Sequence, residues 1–169
     1  MSGFVFRPLR DEEVSAAYEI LRGRSVWLES RGIWQESELF PLADFEKRQE
    51  QKQNLGVFSS GLLVATVCLK REPTVKEYAP FMEPGEHWWI YALASHTMHS
   101  GGGLGRETMR LAEAHLRSNG VTHAYLECGT GTGFLPRFYA SQGWHPLGKI
   151  MSDEGFAELV EMNLFAKRL

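Results

Sequence analysis

The sequence contains few of the residues that mark specialised classes of protein. Only two of its 169 residues are cysteines, and the separation of Cys68 from Cys128 suits neither a metal site nor a disulfide-rich scaffold. No run approaches the roughly 18 apolar residues of a membrane span, and the N-terminal residues lack the apolar core of a signal peptide. The formal net charge of -3 provides no basic excess for nucleic acid. We therefore expect a cytoplasmic protein that binds neither membrane nor nucleic acid.

What is present is an ordinary globular composition. Hydrophobic residues make up 43% of the chain and charged residues 23%. A chain of 169 residues can bury one sizeable core and is short for two. Because no repeat, low-complexity run or linker divides the sequence, we expect residues 1–169 to form a single mixed α/β domain.

Hydrophobic periodicity predicts the order strand, helices, hairpin, strand, helix, strand, helix and final strands. Strands are expected at 4–9, 55–58, 62–69, 88–94, 121–128 and 159–165, and helices at 14–21, 26–31, 44–54, 105–118 and 134–142. A short turn containing glycine joins the strands 55–58 and 62–69 into the clearest hairpin of the chain. Residues 71–85 contain three prolines, and we expect them to form a long loop beside the functional site.

Four of the five residues from 101 to 105 are glycines, and they lie between the strand 88–94 and the helix 105–118. Glycine permits a concave turn and leaves the backbone amides at the start of a helix open to phosphate. A P-loop is excluded because no lysine of the chain precedes serine or threonine. The dinucleotide fingerprint is excluded because no third glycine follows Gly105 at the required spacing. A phosphate-binding turn and a flexible surface loop remain as alternatives.

Two segments together resemble the GNAT acetyltransferase superfamily. The turn Ser100-Gly101-Gly102-Gly103-Leu104-Gly105 is similar to the family's acetyl-CoA loop, (Arg/Gln)-x-x-Gly-x-(Gly/Ala), with Ser100 in place of Arg or Gln. Downstream, Phe138-Tyr139-Ala140-Ser141-Gln142-Gly143-Trp144 is similar to the family's Phe/Tyr-Tyr-x-x-x-Gly-Phe segment. The resemblance implies a mixed α/β fold. In that fold we expect a twisted, mostly antiparallel sheet of six to seven strands. The sheet is expected to be splayed between the fourth and fifth strands and flanked by about four helices.

The resemblance also implies acetyl-CoA as cofactor and indicates the residues that hold it. Pyrophosphate is expected on the turn from Ser100 to Arg106. Pantetheine is expected to add to the fourth strand through backbone groups of Leu93, Ala94 and Ser95, with one N–H directed at the thioester oxygen. Thr132 occupies the position of a family asparagine that contacts the cofactor.

Transfer to an amine requires a proton for the departing thiolate and a base for the amine. The resemblance implies Tyr139 as the general acid, with core packing beside Phe138 as the alternative. Glu127 corresponds to a glutamate that some members carry on the fifth strand, and it is the candidate base, with a tuning or ion-pairing role as the alternative. Glu86 and His87 are held in reserve for the same role.

Three other groups of residues could have a chemical role, but we favour a structural role for most of them. A lone strand cysteine such as Cys128 is usually a small buried hydrophobe rather than a nucleophile. His96 and His99 lack a third metal ligand nearby, so we expect no metal site. Aromatic residues could line an acceptor pocket, although core packing is the simpler role for most of them: Trp27, Trp34, Trp88, Trp89 and Phe81.

The sequence therefore predicts an acetyl-CoA-dependent N-acetyltransferase that acts by direct attack of a primary amine in a ternary complex. A small-molecule amine is preferred to a protein N-terminus as acceptor, and the loop 71–85 is expected to select it. The alternative is a non-catalytic acyl-CoA sensor or interaction module, which the departures at Ser100 and Thr132 permit. A homodimer paired through the final strand is a further expectation.

Overall fold

The structure is a computed structural model that describes residues 3–33, 41–71, 76–85, 87–131, 133–152 and 160–169. Its seven strands are β1 (Phe4–Pro8), β2 (Asn54–Ser59), β3 (Leu62–Lys70), β4 (His87–Ser95), β5 (His123–Gly129), β6 (His145–Ser152) and β7 (Val160–Arg168). The α-helices of the described residues are α1 (Val14–Glu29), α2 (Leu42–Glu50), α3 (Leu104–Ser118) and α4 (Phe134–Ala140). None of these helices combines the length and apolar character that crossing a bilayer requires.

The strands form one sheet in the order β1-β2-β3-β4-β5-β7-β6. Every neighbouring pair is antiparallel except β4 and β5, which are parallel. These two strands pair only at His87 with His123, Trp88 with Ala124 and Trp89 with Tyr125. Beyond Trp89 and Tyr125 the strands separate, so the predicted splay between the fourth and fifth strands is confirmed. It leaves a gap in the middle of the sheet.

A β-bulge lies in β4 at the level of this gap. Thr66 pairs with Ala94 and Cys68 pairs with Tyr91, so one residue of β3 stands opposite two residues of β4. Ala92 has a φ of 50°, a left-handed conformation that is uncommon outside glycine. Bulges redirect the strand edge and are frequent beside active sites. The bulge therefore changes the direction of β4, and the edge of β4 that faces the gap departs from regular strand geometry.

Helices cover both faces of the sheet. The helices α3 and α4 pack on the face that carries Leu126 and Cys128 of β5, while α1 packs on the opposite face against Ala94. The buried side of α3 repeats at helical spacing and consists of Leu104, Thr108, Met109, Ala112, Glu113 and Leu116. This amphipathic stripe fixes the start of α3 beside the end of β4, where the glycine turn joins them.

A buried polar cluster holds α3 against the turn that follows α4. The indole Nε1 of Trp144 donates to Glu113 Oε1 at 3.0 Å. Lys167 Nζ donates to Glu113 Oε2 at 2.7 Å and to the carbonyl of Gln142 at 2.8 Å. Because Gln142 and Trp144 follow directly after α4, the cluster also fixes the position of that helix.

The first half of the chain departs from the predicted helices. A separate helix at 26–31 is wrong, because α1 continues from Val14 to Glu29. Gly23 does not break it, and the hydroxyl of Ser25 donates to the carbonyl of Leu21 within the helix at 3.1 Å. Gly32 ends the helical segment as expected, with a φ of 70°.

The helix predicted at 44–54 is too long at its C-terminal end. Lys52 takes a φ of 56°, which a helix cannot continue through. Asn54 instead begins β2, where it is buried and donates from Nδ2 to the carbonyl of Phe45 at 2.9 Å. The structure thus ends α2 at Glu50.

The hairpin, the fourth strand and the third helix are confirmed. Ser59 pairs with Leu62, and the two intervening residues, Ser60 and Gly61, have φ angles of 50° and 81°. The strand β5 begins at His123 rather than at residue 121. The final strand extends to Arg168, beyond the predicted end at 165, and residue 159 lies outside the described residues.

The position of β7 changes the expected route to a dimer. This strand lies between β5 and β6, and it is paired with both of them along most of its length. Its edges are therefore not free to pair with a second copy, and the prediction of strand pairing through β7 is wrong. The edge strands of the sheet are β1 and β6.

Candidate active site

A cleft of about 370 Å³ opens at the C-terminal end of β4. Helix α1, the end of β4, the glycine turn and helix α4 form its walls. It brings together nine predicted site residues: Leu93, Ser95, Ser100, Gly101, Gly103, Leu104, Gly105, Arg106 and Tyr139. Ala94 and Gly102 do not line it, and Thr132 lies outside the described residues.

The glycine turn adopts a conformation that side chains would disfavour. Gly101 and Gly103 have φ angles of 82° and 77°, and Gly103 is the N-cap of α3. A Cβ atom on Gly105 would lie 3.5 Å from the ring of Phe138, so this glycine sits where α3 and α4 approach each other. The turn therefore has the kind of backbone conformation for which its glycines are suited.

Most amides of the turn are open to a ligand. Gly102 donates its N–H to the carbonyl of His99 at 3.2 Å. In the described part of the chain, no hydrogen-bond partner accepts from the N–H groups of Gly101, Gly103, Leu104, Gly105 and Arg106. Unpaired amides at a helix N-terminus carry partial positive charge and bind anions. The turn therefore provides a site for phosphate.

Tyr139 projects from α4 into the cleft and is half-buried. Its ring lies 5.2 Å from that of Phe138 and 6.1 Å from that of Phe165. Burial raises the pKa of its phenol well above the usual value, and the nearby thiol of Cys128 raises it further. Like an unperturbed phenol, the hydroxyl carries its proton at neutral pH, and it hydrogen-bonds to no side chain or backbone group among the described residues.

Glu127 lies on the other face of β5. Leu126 and Cys128 point toward α3, so Glu127 shares the opposite face with Tyr125. It is half-buried, and its charge helps to raise the pKa of Tyr91, across the gap on β4, to about 12, although burial is the main cause of that shift. Glu127 and Tyr139 therefore stand on opposite faces of β5, at the level where β4 and β5 have separated.

A family model described as the acetyltransferase (GNAT) family matches residues 16–144, which is more than half of the chain. The chain belongs to the GNAT acetyltransferase family. GNAT acetyltransferases use acetyl-CoA, so membership confirms the predicted cofactor. A comparison with curated protein sequences finds no significant match.

Solved structures share the fold of this GNAT protein. A GNAT acetyltransferase from Listeria monocytogenes gives a TM-score of 0.78 at 18% identity, over 98% of this chain and 95% of that chain. A Salmonella typhimurium protein solved with its cofactor acetyl-CoA gives 0.67 at 18% identity, over 99% and 95%. A ribosomal-protein-alanine N-acetyltransferase from Brucella melitensis gives 0.70 at 16% identity, over 98% and 99%. The predicted fold class is confirmed.

The cysteines of this GNAT protein are poor nucleophiles. Burial raises the pKa of the Cys128 thiol to about 12, with a further contribution from the charge of Glu127. Burial likewise raises the pKa of Cys68 to about 11. Since the thiolate is the reactive form, neither residue is suited to carry an acyl group near neutral pH. Among the described residues, no three His, Cys, Asp or Glu side chains are grouped closely enough to hold a metal ion.

The aromatic candidates for the acceptor pocket have different surroundings. Trp27 lines the cleft of the glycine turn. Trp89 is 1% exposed and stacks between Tyr78 and Tyr125 at centroid distances of 5.3 and 5.5 Å, so it belongs to the core. Trp88 is half-buried, and Phe81 is 39% exposed. Trp34 and Glu86 lie outside the described residues, and the His87 ring is within 2.9 Å of the carbonyl of Gly85.

Several cleft residues carried no recognisable signal in the sequence. Arg24 and Leu28 come from α1, and Phe134 and Leu135 come from the first turn of α4. The sequence indicated Phe138 only as part of a motif. In the structure the guanidinium carbon of Arg106 lies 5.6 Å from the centroid of the Phe138 ring. Helical spacing predicts that such residues share a face, but it does not indicate which cleft that face lines.

Proposed function

We propose that the protein is an N-acetyltransferase that transfers the acetyl group of acetyl-CoA directly to a primary amine. The observation that carries the proposal is one cleft that contains both the unpaired amides of the glycine turn and the protonated phenol of Tyr139. When bound, acetyl-CoA supplies an activated acetyl group and a thiol leaving group. The residues of the chain then bind the phosphates, orient the acceptor and move protons.

The phosphate-binding residues are those of the glycine turn. The amides of Gly101 and of residues 103–106 offer donors to pyrophosphate, and the side chain of Arg106 adds a positive charge beside them. Leu93 and Ser95 line the same cleft along the free edge of β4, where the pantetheine arm is proposed to pair with backbone groups, including those of Ala94. Thr132 is retained as a proposed contact to the cofactor.

Tyr139 is proposed to donate a proton to the departing thiolate. The phenol is protonated at neutral pH, and its hydroxyl needs to break no existing bond within the described residues. A neutral phenol close to a thiolate is a competent general acid. The ring contacts with Phe138 and Phe165 restrain the position of the Tyr139 ring.

Glu127 is proposed to accept a proton from the amine on the opposite side of the gap. Its carboxylate lies on the face away from Tyr139. The amine therefore loses its proton on one face of β5, and the leaving thiolate receives a proton on the other. The acceptor attacks without an acyl-enzyme, because the thiol of Cys128 stays protonated. Glu86 and His87 are not needed for this scheme.

A small amine is the proposed class of acceptor. Tyr78 is fully buried against Trp89, so the segment Lys76–Phe81 covers the face of β4 and β5 next to Glu127. We take this cover to favour a compact acceptor over an extended peptide. The relatives named for ribosomal-protein alanine show that protein acceptors also occur among proteins with this fold.

The test is thiol release from acetyl-CoA with a panel of small amines and peptides that begin with alanine. The proposal expects release with at least one small amine and little with the peptides. Calorimetric binding of CoA without turnover on any acceptor would instead support the acyl-CoA sensor. Turnover with the peptides alone would replace the proposed acceptor class and keep the transfer reaction.

A further inference from the structure

We propose that Arg24, on helix α1, supplies the positive charge that the glycine turn lacks at Ser100. In this role Arg24 holds the turn in position and binds a phosphate group of the cofactor. The inference rests on the acetyl-CoA site proposed above and adds a residue to it. It accounts for a departure from the family pattern, since Ser100 stands where the family has Arg or Gln.

The contacts of Arg24 join three parts of the cleft. Its Nε donates to the carbonyl of Ser95 at 2.9 Å, and one terminal nitrogen donates to the hydroxyl of the same residue at 3.1 Å. That nitrogen also lies 3.3 Å from the carbonyl of His96. The other terminal nitrogen donates to the hydroxyl of Ser100 at 3.3 Å. One guanidinium therefore connects α1, the end of β4 and the first residue of the turn.

Ser100 is arranged to receive this contact. Its own hydroxyl donates to the carbonyl of Thr97 at 2.6 Å, so a lone pair is left to accept from Arg24. The ring of Trp27 lies 4.6 Å from the guanidinium carbon and supports it from one side. A planar, rigid group fixed in this way loses little freedom when it meets an anion.

The charge of Arg24 has no acidic partner among the described residues. All of its hydrogen bonds go to carbonyl or hydroxyl oxygens. Burial lowers the pKa of the guanidinium, and the like charge of Arg31 lowers it further. A half-buried cation without a counter-ion, beside unpaired amides in the same cleft, is matched electrostatically by an anionic ligand.

Phosphate is the anion that suits this geometry. The amides of the turn and the guanidinium line the same cleft, and Arg24 contacts the first residue of the turn, so one group with several oxygens can accept from both. Ser95, His96 and Ser100 take four of the five guanidinium N–H groups, so one N–H and the positive charge remain for a phosphate oxygen. A purely structural role, in which Arg24 only ties α1 to β4, predicts no preference for ligands with phosphate.

The experiment compares Arg24→Met with Arg22→Met, a neighbouring exposed arginine of α1 that does not line the cleft. Calorimetry with CoA is expected to give an affinity about tenfold lower for R24M and an unchanged affinity for R22M. Competition by pantetheine, which has no phosphate, should be the same for R24M and the wild type. If R24M does not fold, Arg24→Gln keeps a donor for Ser95 and removes the charge, and the same loss is expected.

A second substitution tests whether the CoA affinity lost in R24M can be restored from another position. Ser100→Arg places the family residue at the start of the turn, and in the R24M background it is expected to restore most of the CoA affinity. Equal affinity of R24M and wild type for CoA would overturn the role of Arg24, and so would an equal loss for CoA and pantetheine. A wild-type protein that binds no CoA would remove the cofactor site itself, which distinguishes the two failures.

Discussion

Tyr139 and Glu127 owe their proposed roles to the face of β5 on which each one lies. Tyr139 packs in the cluster of Cys128 and Phe165, where burial raises the pKa of its phenol. Glu127 points to the face of Tyr125 and interacts electrostatically with Tyr91 across the gap. Because the strand separates the two side chains, either residue can be changed without altering the packing of the other.

Replacing Glu127 tests the proposed base. Glu127→Gln keeps the shape of the side chain and removes the carboxylate, and we expect kcat to fall about a hundredfold. The acidic limb of the pH–rate profile should disappear with the carboxylate, while the affinity for CoA stays unchanged. Glu161→Gln, a partly exposed glutamate paired with Lys149 on the strands β6 and β7, is the control. A Glu127→Gln profile with its acidic limb intact would assign the base to another group.

The ion pair between Glu13 and Arg7 makes the free energy of unfolding depend on pH. Its carboxylate accepts two bonds from the guanidinium of Arg7 at 2.8 and 2.6 Å and one from the amide of Arg10 at 2.8 Å. The bond to Arg7 is the main cause of a pKa that falls from 4.5 to about 2. A lowered pKa in the folded state stabilises the protein above pH 4.5, and that stabilisation is lost as the pH falls toward 2.

The measurement is urea unfolding of Glu13→Gln against wild type from pH 7 to pH 2.5. The difference in unfolding free energy should be largest at neutral pH and shrink below pH 4.5. Glu12→Gln removes a glutamate whose side chain is 71% exposed and should change little at any pH. A difference for Glu13→Gln that does not vary with pH would show that the ion pair is not its source.

At the scale of elements, the continuous helix α1 carries Arg24 to the cleft. A helix that stopped at 21 and resumed at 26 would free Arg24 from a fixed position. Gly23 lies between these limits in helical conformation, and a Cβ atom placed there meets nothing within 4 Å. Gly23 therefore does not interrupt the helix, where the sequence favoured two helices.

This continuity makes Gly23→Ala a stabilising change. Alanine at a solvent-exposed helix interior is favoured over glycine by roughly 1 kcal/mol, so the unfolding free energy should rise by about that amount. The matched change Gly103→Ala has the opposite sign, since Gly103 has a φ of 77° that alanine adopts only with strain. Urea unfolding of both variants measures the difference. A destabilised Gly23→Ala protein would contradict an unbroken α1.

Elements with strong local signals were predictable, and those defined by tertiary contacts were not. The hairpin turn at Ser60 and Gly61 and the buried stripe of α3 follow from turn chemistry and helical period. The end of α2 depends on Asn54, whose amide is satisfied by a carbonyl in the helix itself. The bounds of β6 were not predicted, since His145–Ser152 shows little alternation and its place in the sheet depends on β7.

At the scale of the whole molecule, the sheet brings the predicted turn and Tyr139 together although they lie apart in the sequence. The sequence motifs indicated these two parts of the cleft because each has a local pattern. The contact between Arg24 and Ser100 joins residues separated by 76 positions, and no local pattern predicts it. The same holds for the pairing of β7 between β5 and β6, which removes the expected dimer edge.

The most direct test of the account measures turnover and CoA affinity together for Tyr139→Phe. Thiol release with the best amine is expected to fall about a hundredfold while the dissociation constant of CoA stays the same, because only the donated proton is lost. Tyr18→Phe removes a hydroxyl from the cluster packed around Phe45, away from the cleft, and should leave both quantities unchanged. Wild-type turnover by a folded Tyr139→Phe protein would contradict the central claim.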